Sequence, residues 1–339
     1  MSVTIVDVAK EVNLSISTIS KYINGRNVRP ENAKRIEEAI TKLGFVPNQA
    51  ARELRNLATP VIGLILDSLC CPYFAKINLE YEKQMNDLGY SYVVCCHHNE
   101  MDKLFSIIGF LKDYQVDGIL LVPIYGMEEH SSFQNEVNLP VVAIDRSPKH
   151  GKLDSVTTNS TKGAYEATEY LIEQGHKQIA IITGADIETP SRDTALERYE
   201  GFHRAMDDYG IPVSPDFVIE GNYTFEAGFN GLYKLWEQKK KPTALFTSNY
   251  HTSMGVVAAT LNLGIAIPDE LSLIVFDDVL FSTISEPNLT AIRQPAEEIA
   301  RESLALLLKR IAGDRCGFPK KIRLNPTLNI RDSVKNIEV

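Results

Sequence analysis

From residue 61 onward the chain repeats one pattern: a short apolar run, a stretch of helical periodicity, then another run. The runs fall at 61–66, 90–96, 116–123, 141–144, 178–183, 243–247 and 272–276. Short runs that are apolar throughout, rather than alternating, fit strands covered on both faces, and helices between them imply parallel α/β sheets. The span from 61 to 330 is too long for one such sheet. Two similar lobes are therefore expected, with a ligand crevice outside the C-terminal ends of their strands. The stretches VDGILLVP at 116–123 and LSLIVFDD at 271–278 are matching landmarks, one in each lobe.

The first 60 residues read differently. Ile5, Val8, Ala9 and Val12 form the stripe of an amphipathic helix, with Thr4 placed to cap it and Asp7 in its first turn. Asn13 interrupts, since Asn tolerates the left-handed conformation that ends helices. Ser15 restarts as an N-cap, with Ile19 and Ile23 on the inner face of a second short helix. A third starts at Pro30, carries Ala33, Ile36, Ile40 and Leu43 inward, and stops at Gly44. Two short helices with a tight turn between them describe a helix-turn-helix, whose second helix enters the major groove.

Charge supports the division. The formal net charge is −9, yet nine basic and six acidic side chains give residues 1–60 a charge of +3, leaving −12 for the remainder. A basic head on an acidic body is the footprint of a DNA-binding module joined to something else. On the second helix Ile16, Ser17, Ser20 and Lys21 face outward. Lys21 is placed to donate to guanine O6 and N7, Ser17 to reach a base or phosphate, and Ile16 to touch a thymine methyl. The alternative is that they are solvated positions on a surface helix. After Pro47 and Asn48, residues 49–56 make about two helical turns, marginal in water unless something packs against them. A plain flexible linker is the other reading.

These residues carry a family resemblance. TIVDVA at 4–9, LSISTISK at 14–21, NG at 24–25, LGFVPN at 43–48 and AREL at 51–54 resemble the lactose-repressor/galactose-repressor (LacI/GalR) family in order and spacing. CPYF at 71–74, VAIDR at 142–146, RYEGF at 198–202, FDD at 276–278 and LTAIRQP at 289–295 extend the likeness through the core, which also resembles periplasmic sugar-binding proteins. Asn13 stands where the family usually has Gly, and Lys21 where Arg is frequent.

The resemblance implies an α/β protein: a two-lobed, type I periplasmic-binding-protein-like core of parallel sheets, preceded by an all-α helix-turn-helix headpiece. It implies a headpiece at 1–46, a hinge at 47–60 and a core at 61–333. Lobe 1 takes about 61–158 and 293–322, and lobe 2 about 159–292 and 323–333, with crossings near Asn159, Ile292 and Arg323. DNA contacts are expected from Thr4, Ser15, Ile16, Ser17, Ser20, Lys21, Asn24 and Arg26. In the hinge they are expected from Asn48, Ala51, Arg52, Leu54 and Arg55. Leu54 matches the family's apolar wedge in the minor groove, and Arg52 and Arg55 its phosphate contacts.

In the cleft the resemblance places Tyr73, Phe74, Asp145, Arg192, Thr194, Arg198, Tyr223, Asn249, Asp277 and Gln294 as effector-binding residues. Sugars want bidentate polar partners and an aromatic face. Arg198 serves as donor fork, Asp277 as acceptor and Tyr223 as platform. The competing roles are a solvated helix charge for Arg198, a helix cap for Asp277, and plain core packing for Tyr73 and Phe74. Val275 and Thr158 depart from the Gly and Asp common in the family at those positions.

The expected function is a cytoplasmic, homodimeric transcriptional repressor reading a pseudo-palindromic operator. Its effector is expected to be a sugar or sugar phosphate, with no cofactor and no metal. Alternatives are a purine-type corepressor and, in a different class, a solute-binding protein without a DNA role. No secretory signal, long apolar segment or catalytic motif such as Gly-x-Ser-x-Gly nominates a membrane protein or an enzyme. Only six residues follow Ser333, too few for a tetramerising coiled coil. The five cysteines, two adjacent pairs and Cys316, read as reduced and mostly buried thiols. Cys95, Cys96, His97 and His98 cannot all face one ion, because strand side chains alternate. A ligand-lining role for His97 or His98 is favoured over a metal site, and the sequence leaves their role open.

Overall fold

The computed structural model describes residues 5–12, 14–15, 18–19, 22, 28–43, 60–124, 126–127, 139–148, 153–184 and 193–337. The chain divides into two compact units, 1–60 and 61–339.

In the first unit, helix α1 (Ile5–Glu11) and helix α2 (Pro30–Leu43) pack around Val8, Ala9, Val12, Ile19, Ile36 and Ala39, all buried. Between them Ser15 caps as expected: its hydroxyl accepts from the Thr18 amide over 3.3 Å. Arg35 donates to the Val12 carbonyl over 2.7 Å and ties α2 to the end of α1. The expected roles of Thr4, Asn13, Ile23 and Gly44, the outward residues Ile16, Ser17, Ser20 and Lys21, Asn24, Arg26, and all of the hinge lie outside the described residues.

The second unit holds two six-stranded sheets. In lobe 1 the strands are β1 (Val61–Leu66), β2 (Ser91–Cys96), β3 (Gly118–Leu121), β4 (Val141–Ile144), β5 (Asp154–Thr158) and β11 (Lys321–Leu324). Their order is β2-β1-β3-β4-β5-β11, all parallel. In lobe 2 they are β6 (Ile179–Ile182), β7 (Val218–Ile219), β8 (Ala244–Thr247), β9 (Ser272–Phe276), β10 (Thr290–Arg293) and β12 (Thr327–Asn329). The order β7-β6-β8-β9-β10-β12 repeats that of lobe 1, except that β12 runs antiparallel.

Helices cover both faces of each sheet. On one face of the lobe 1 sheet, helix α3 (Pro72–Asp87) packs through Ile77, Tyr81 and Met85 against Leu304 and Leu307 of the long return helix Ala296–Ile311. On the other, helix α4 (Met101–Asp113) packs through Leu104, Ile108 and Leu111. In lobe 2, α5 (Ser160–Glu173) and α6 (Asp193–Asp208) share one face, α7 (Phe225–Trp236) and α8 (Tyr250–Leu263) the other. Two-sided cover is what makes the strands apolar throughout.

The chain crosses between lobes at Asn159, at Gln294–Pro295 and at Asn325–Pro326. The last two fall about two residues beyond the expected positions, because Ile292 and Arg323 are still paired within β10 and β11. At the lobe 1 sheet edge Asp154 accepts from Arg310 Nε over 2.7 Å and from the Lys320 amide over 2.6 Å, so one carboxylate holds the return helix to β11. The cysteines are less buried than expected: Cys70 and Cys316 are exposed, and Cys71, Cys95 and Cys96 only partly covered.

Candidate ligand-binding cleft

A doubly wound sheet concentrates its binding groups at the carboxyl ends of its strands. Here two such ends share one cavity of about 260 Å³. Lobe 1 contributes Asp67 and Ser68 after β1, Asn99 after β2, Pro123 after β3, and Asp145 and Arg146 after β4. Lobe 2 contributes Asn222 and Tyr223 after β7, Asn249 after β8, Asp277 after β9 and Gln294 after β10.

Asp145 and Asp277 hold equivalent positions. Each directly follows the fourth strand of its lobe, and each has left-handed backbone, with φ of 66° and 78°. Tyr223 is similar, with φ of 59°. Such backbone costs of order 1–3 kcal/mol in a non-glycine residue and persists where surrounding structure holds it. The kink turns each side chain off the sheet edge into the cleft. Burial raises the Asp145 carboxyl above its usual range; Arg146 and Arg198 pull it down, and Asp277 and Asp67 push it further up. The neighbouring Asp278 has a different task. Burial opposes its ionisation, but hydrogen bonds from Arg331, Ser282 and Asn329 hold it below the usual range, and it fastens β12 to the lobe.

Arg198 is 5% exposed, and its guanidinium carbon lies 3.7 Å from the centre of the Phe276 ring. Its Nη1 donates to the Ser248 carbonyl, while its buried Nε–H has no partner among the described residues. An unpaired buried donor costs about 1–3 kcal/mol, which a ligand acceptor removes. Asp277 accepts from Gln294 Nε2 over 2.6 Å and from the Tyr250 amide over 3.3 Å. Thr194 and Tyr223 hydroxyls lie 3.2 Å apart, and Asn249 donates to the Tyr223 carbonyl over 3.4 Å. Asn249 also caps α8 through the Thr252 amide. Tyr73 and Phe74 lie at the start of α3, their ring centres 5.3 Å apart. Cys71 also lines the cavity, but burial, reinforced by Asp277, pushes its thiol up to about 12, so it stays protonated.

Nine of the ten residues expected from the sequence line this cavity; Arg192 lies outside the described residues. Sequence reasoning missed Asp67, Asn99, Arg146 and His251. Neither His97 nor His98, whose role the sequence left open, lines the cavity. His97 is fully buried behind it, and His98 takes a left-handed turn with φ of 52°. Of the two departures, Val275 packs in the lobe 2 core, away from the cleft, while the Thr158 hydroxyl donates to Gln294 over 2.7 Å.

Comparison with known proteins places the chain. Residues 4–48 match the bacterial regulatory proteins of the lacI family, and residues 168–334 match a periplasmic binding protein-like domain. Over 336 residues, 98% of this chain and 99% of the relative, it is 34% identical to the HTH-type transcriptional repressor PurR of Actinobacillus pleuropneumoniae serotype 3 (strain JL03). The chain belongs to the lacI family of bacterial regulatory proteins. A second full-length relative is the PurR repressor of Pasteurella multocida (strain Pm70), 35% identical over 335 residues, 98% of this chain and 99% of that one.

The lacI-family fold extends over the whole chain. A lac repressor dimer bound to operator and the anti-inducer ONPF matches 99% of this chain and 100% of its own, with a TM-score of 0.79 at 23% identity. The transcription regulator CcpA of Lactococcus lactis matches 82% and 100%, with a TM-score of 0.73 at 24% identity. This lacI-family member is a DNA-binding transcriptional repressor with an effector-binding domain, and the family is not enzymatic. No helix among the described residues is long and apolar enough to cross a membrane.

Proposed function

We propose that operator binding by this repressor is controlled by a small, uncharged, hydroxyl-rich effector, a free sugar, held in the cleft by Asp277, Arg198, Asp145 and Tyr223. One observation carries the choice. The cavity wall combines acceptors, donors and aromatic faces, and among the described residues its three carboxylates outnumber its two guanidiniums. Carboxylates and forked donors suit adjacent hydroxyls, and rings suit the C–H side of a sugar. A volume of about 260 Å³ lies just below the roughly 300–1,000 Å³ usual for ligand pockets and suits a monosaccharide.

The regulated event is the ordering of the hinge around Leu54 in a homodimer on a pseudo-palindromic operator in the cytoplasm. Effector occupancy sets the angle between lobes and so biases whether paired hinges fold in the minor groove. Coupling of about 1–3 kcal/mol changes DNA affinity roughly 5–150-fold. A planar purine acting as corepressor is the second reading, favoured by the paired rings of Tyr73 and Phe74 in a cavity that also holds amides and carboxylates.

Operator titrations with and without free sugars and purine bases decide between them. A free sugar that lowers operator affinity supports the first reading, and a purine base that raises it supports the second. The Arg198→Ala protein should still bind operator but ignore the sugar. If it responds at the same sugar concentration as the parent, the cleft assignment fails.

A further inference from the structure

The lobe 1 wall holds a polar assembly that the sequence did not announce. Arg146 donates through Nη2 to Asp67 Oδ2 over 3.1 Å and through Nη1 to Asn99 Oδ1 over 3.3 Å. It also reaches the Pro123 carbonyl at 3.4 Å, and its Nε lies 3.5 Å from Asp145 Oδ2. Asn99 closes the ring by donating through Nδ2 to Asp67 Oδ2 over 3.3 Å. Asp67, Asn99 and Arg146 all line the cavity. The arginine is thus committed within the protein, hemmed by two carboxylates. What this wall offers a ligand is an excess of acceptor and negative charge.

Asn99 does not reach this place by helix or strand geometry. It sits in left-handed backbone, φ 60°, directly after His98 at φ 52°. The turn is held from behind by His97, which is fully buried. The His97 ring accepts from the Asn99 amide at Nδ1 over 2.9 Å, and with its proton on Nε2 it donates to the Val122 carbonyl over 3.0 Å. One neutral imidazole therefore bridges β3's end and the Asn99 backbone.

We propose that Asp67 and Asn99, locked by Arg146, form a charge-selective wall that accepts hydroxyl groups and turns away a phosphate ester, and that His97 is the positioning residue that holds Asn99 there. This rests on the reading of the cleft as a free-sugar site and assigns its rejection of phosphate esters to named residues. Among the described residues of this wall, a dianionic phosphate faces Asp67 and Asp145 with no uncommitted cation, whereas a hydroxyl donates to Asp67 and accepts from Asn99.

The test is isothermal titration of the full-length protein with D-ribose, D-glucose and D-galactose, each beside its phosphate: ribose 5-phosphate, glucose 6-phosphate and galactose 1-phosphate. The free form of the best sugar should bind at least about tenfold more tightly than its phosphate, and Asp67→Asn should shrink that ratio to about threefold or less. His97→Ala and Asn99→Ala should each weaken the free sugar about tenfold, and the double variant no further, because both act through one contact. His97→Gln, which can keep both hydrogen bonds, should retain parental affinity. A phosphate that binds the parent as tightly as the free sugar, or a ratio unmoved by Asp67→Asn, overturns the charge-selective wall. Additive losses in the double variant overturn the positioning role. If none of the three free sugars binds, the sugar reading falls and takes this one with it.

Discussion

Gln294 donates to Asp277 across 2.6 Å while accepting from Thr158 across 2.7 Å. Gln294 stands at the second crossing between lobes and Thr158 at the brink of the first. The cavity-facing carboxylate of lobe 2 is therefore bonded, through one amide, to the last strand residue before the chain leaves lobe 1. In the proposed mechanism, a ligand that draws on Asp277 also pulls on the crossing between the lobes.

Cutting that link should be visible in stability. Gln294→Ala leaves Asp277 short of a buried donor and the Thr158 hydroxyl short of its acceptor, and should lower the stability of the core by about 1–3 kcal/mol. Urea unfolding measures it, and an unchanged midpoint would show that the three side chains are not coupled.

Gly184 lies beside the Tyr223 ring, and a β-carbon there would fall inside the ring's van der Waals surface. Gly184→Ala should therefore displace Tyr223 while leaving the sheets intact. The expected outcome is a loss of sugar affinity of about tenfold, near 1.4 kcal/mol, with operator binding by the free protein unaltered. Titration of the variant with sugar checks this; parental affinity would mean that Tyr223 is not the platform.

The headpiece and hinge should separate affinity from sequence preference. If Leu54 is the wedge that the family resemblance implies, Leu54→Ala should weaken specific operator binding roughly tenfold while sparing ligand binding. Lys21→Ala should relax base preference at one position, by about 1–3 kcal/mol of discrimination, rather than weaken all sites evenly. Gel-shift titrations against operator variants distinguish the two patterns. Equal operator affinity for Leu54→Ala would contradict the wedge.

His176 gives the core a predictable response to acid. It is 1% exposed, its ring lies 2.9 Å from the Thr243 hydroxyl and 3.0 Å from the Lys335 carbonyl, and burial lowers its pKa below the usual 6.5. Below about pH 6.5 the unfolded chain takes up a proton that the folded chain refuses, so stability is full above that pH and falls beneath it. The slope is at most about 1.4 kcal/mol per pH unit, and it ends where the folded ring itself protonates. His176→Gln should flatten this part of the curve relative to the parent. Identical pH profiles of thermal midpoint for the two proteins would refute it.

Much of the fold was legible because strands covered on both faces must be apolar throughout. The runs at 61–66, 141–144 and 272–276 coincide with β1, β4 and β9. Of the strands that escaped notice, β7 and β10 are short, and the other three have sequences that do not look buried. Asp154–Thr158 is polar, yet fully buried, because Arg310 and the Lys320 amide satisfy Asp154. Lys321–Leu324 and Thr327–Asn329 are short edge strands that exist through pairing with residues far away in the chain.

The site divides in the same way. Tyr73, Arg198, Asp277 and Gln294 were readable because they sit in motifs whose order along the chain identifies the family. Asp67, Asn99 and Arg146 were not, since nothing local marks a strand-end Asp or Asn as facing a cavity rather than water. Their convergence depends on which strands neighbour one another, a long-range matter.

The sequence alone determined most of the core strands, the two-lobed class and the residue types of the cleft, because periodicity and motif spacing are local properties of the chain. Only the tertiary structure decided that Asp145 and Asp277 enter one cavity from opposite walls through matching left-handed turns, and that His97 stands behind that cavity rather than in it. Those outcomes follow from the strand order of two sheets and three crossings, and no stretch of neighbouring residues encodes them.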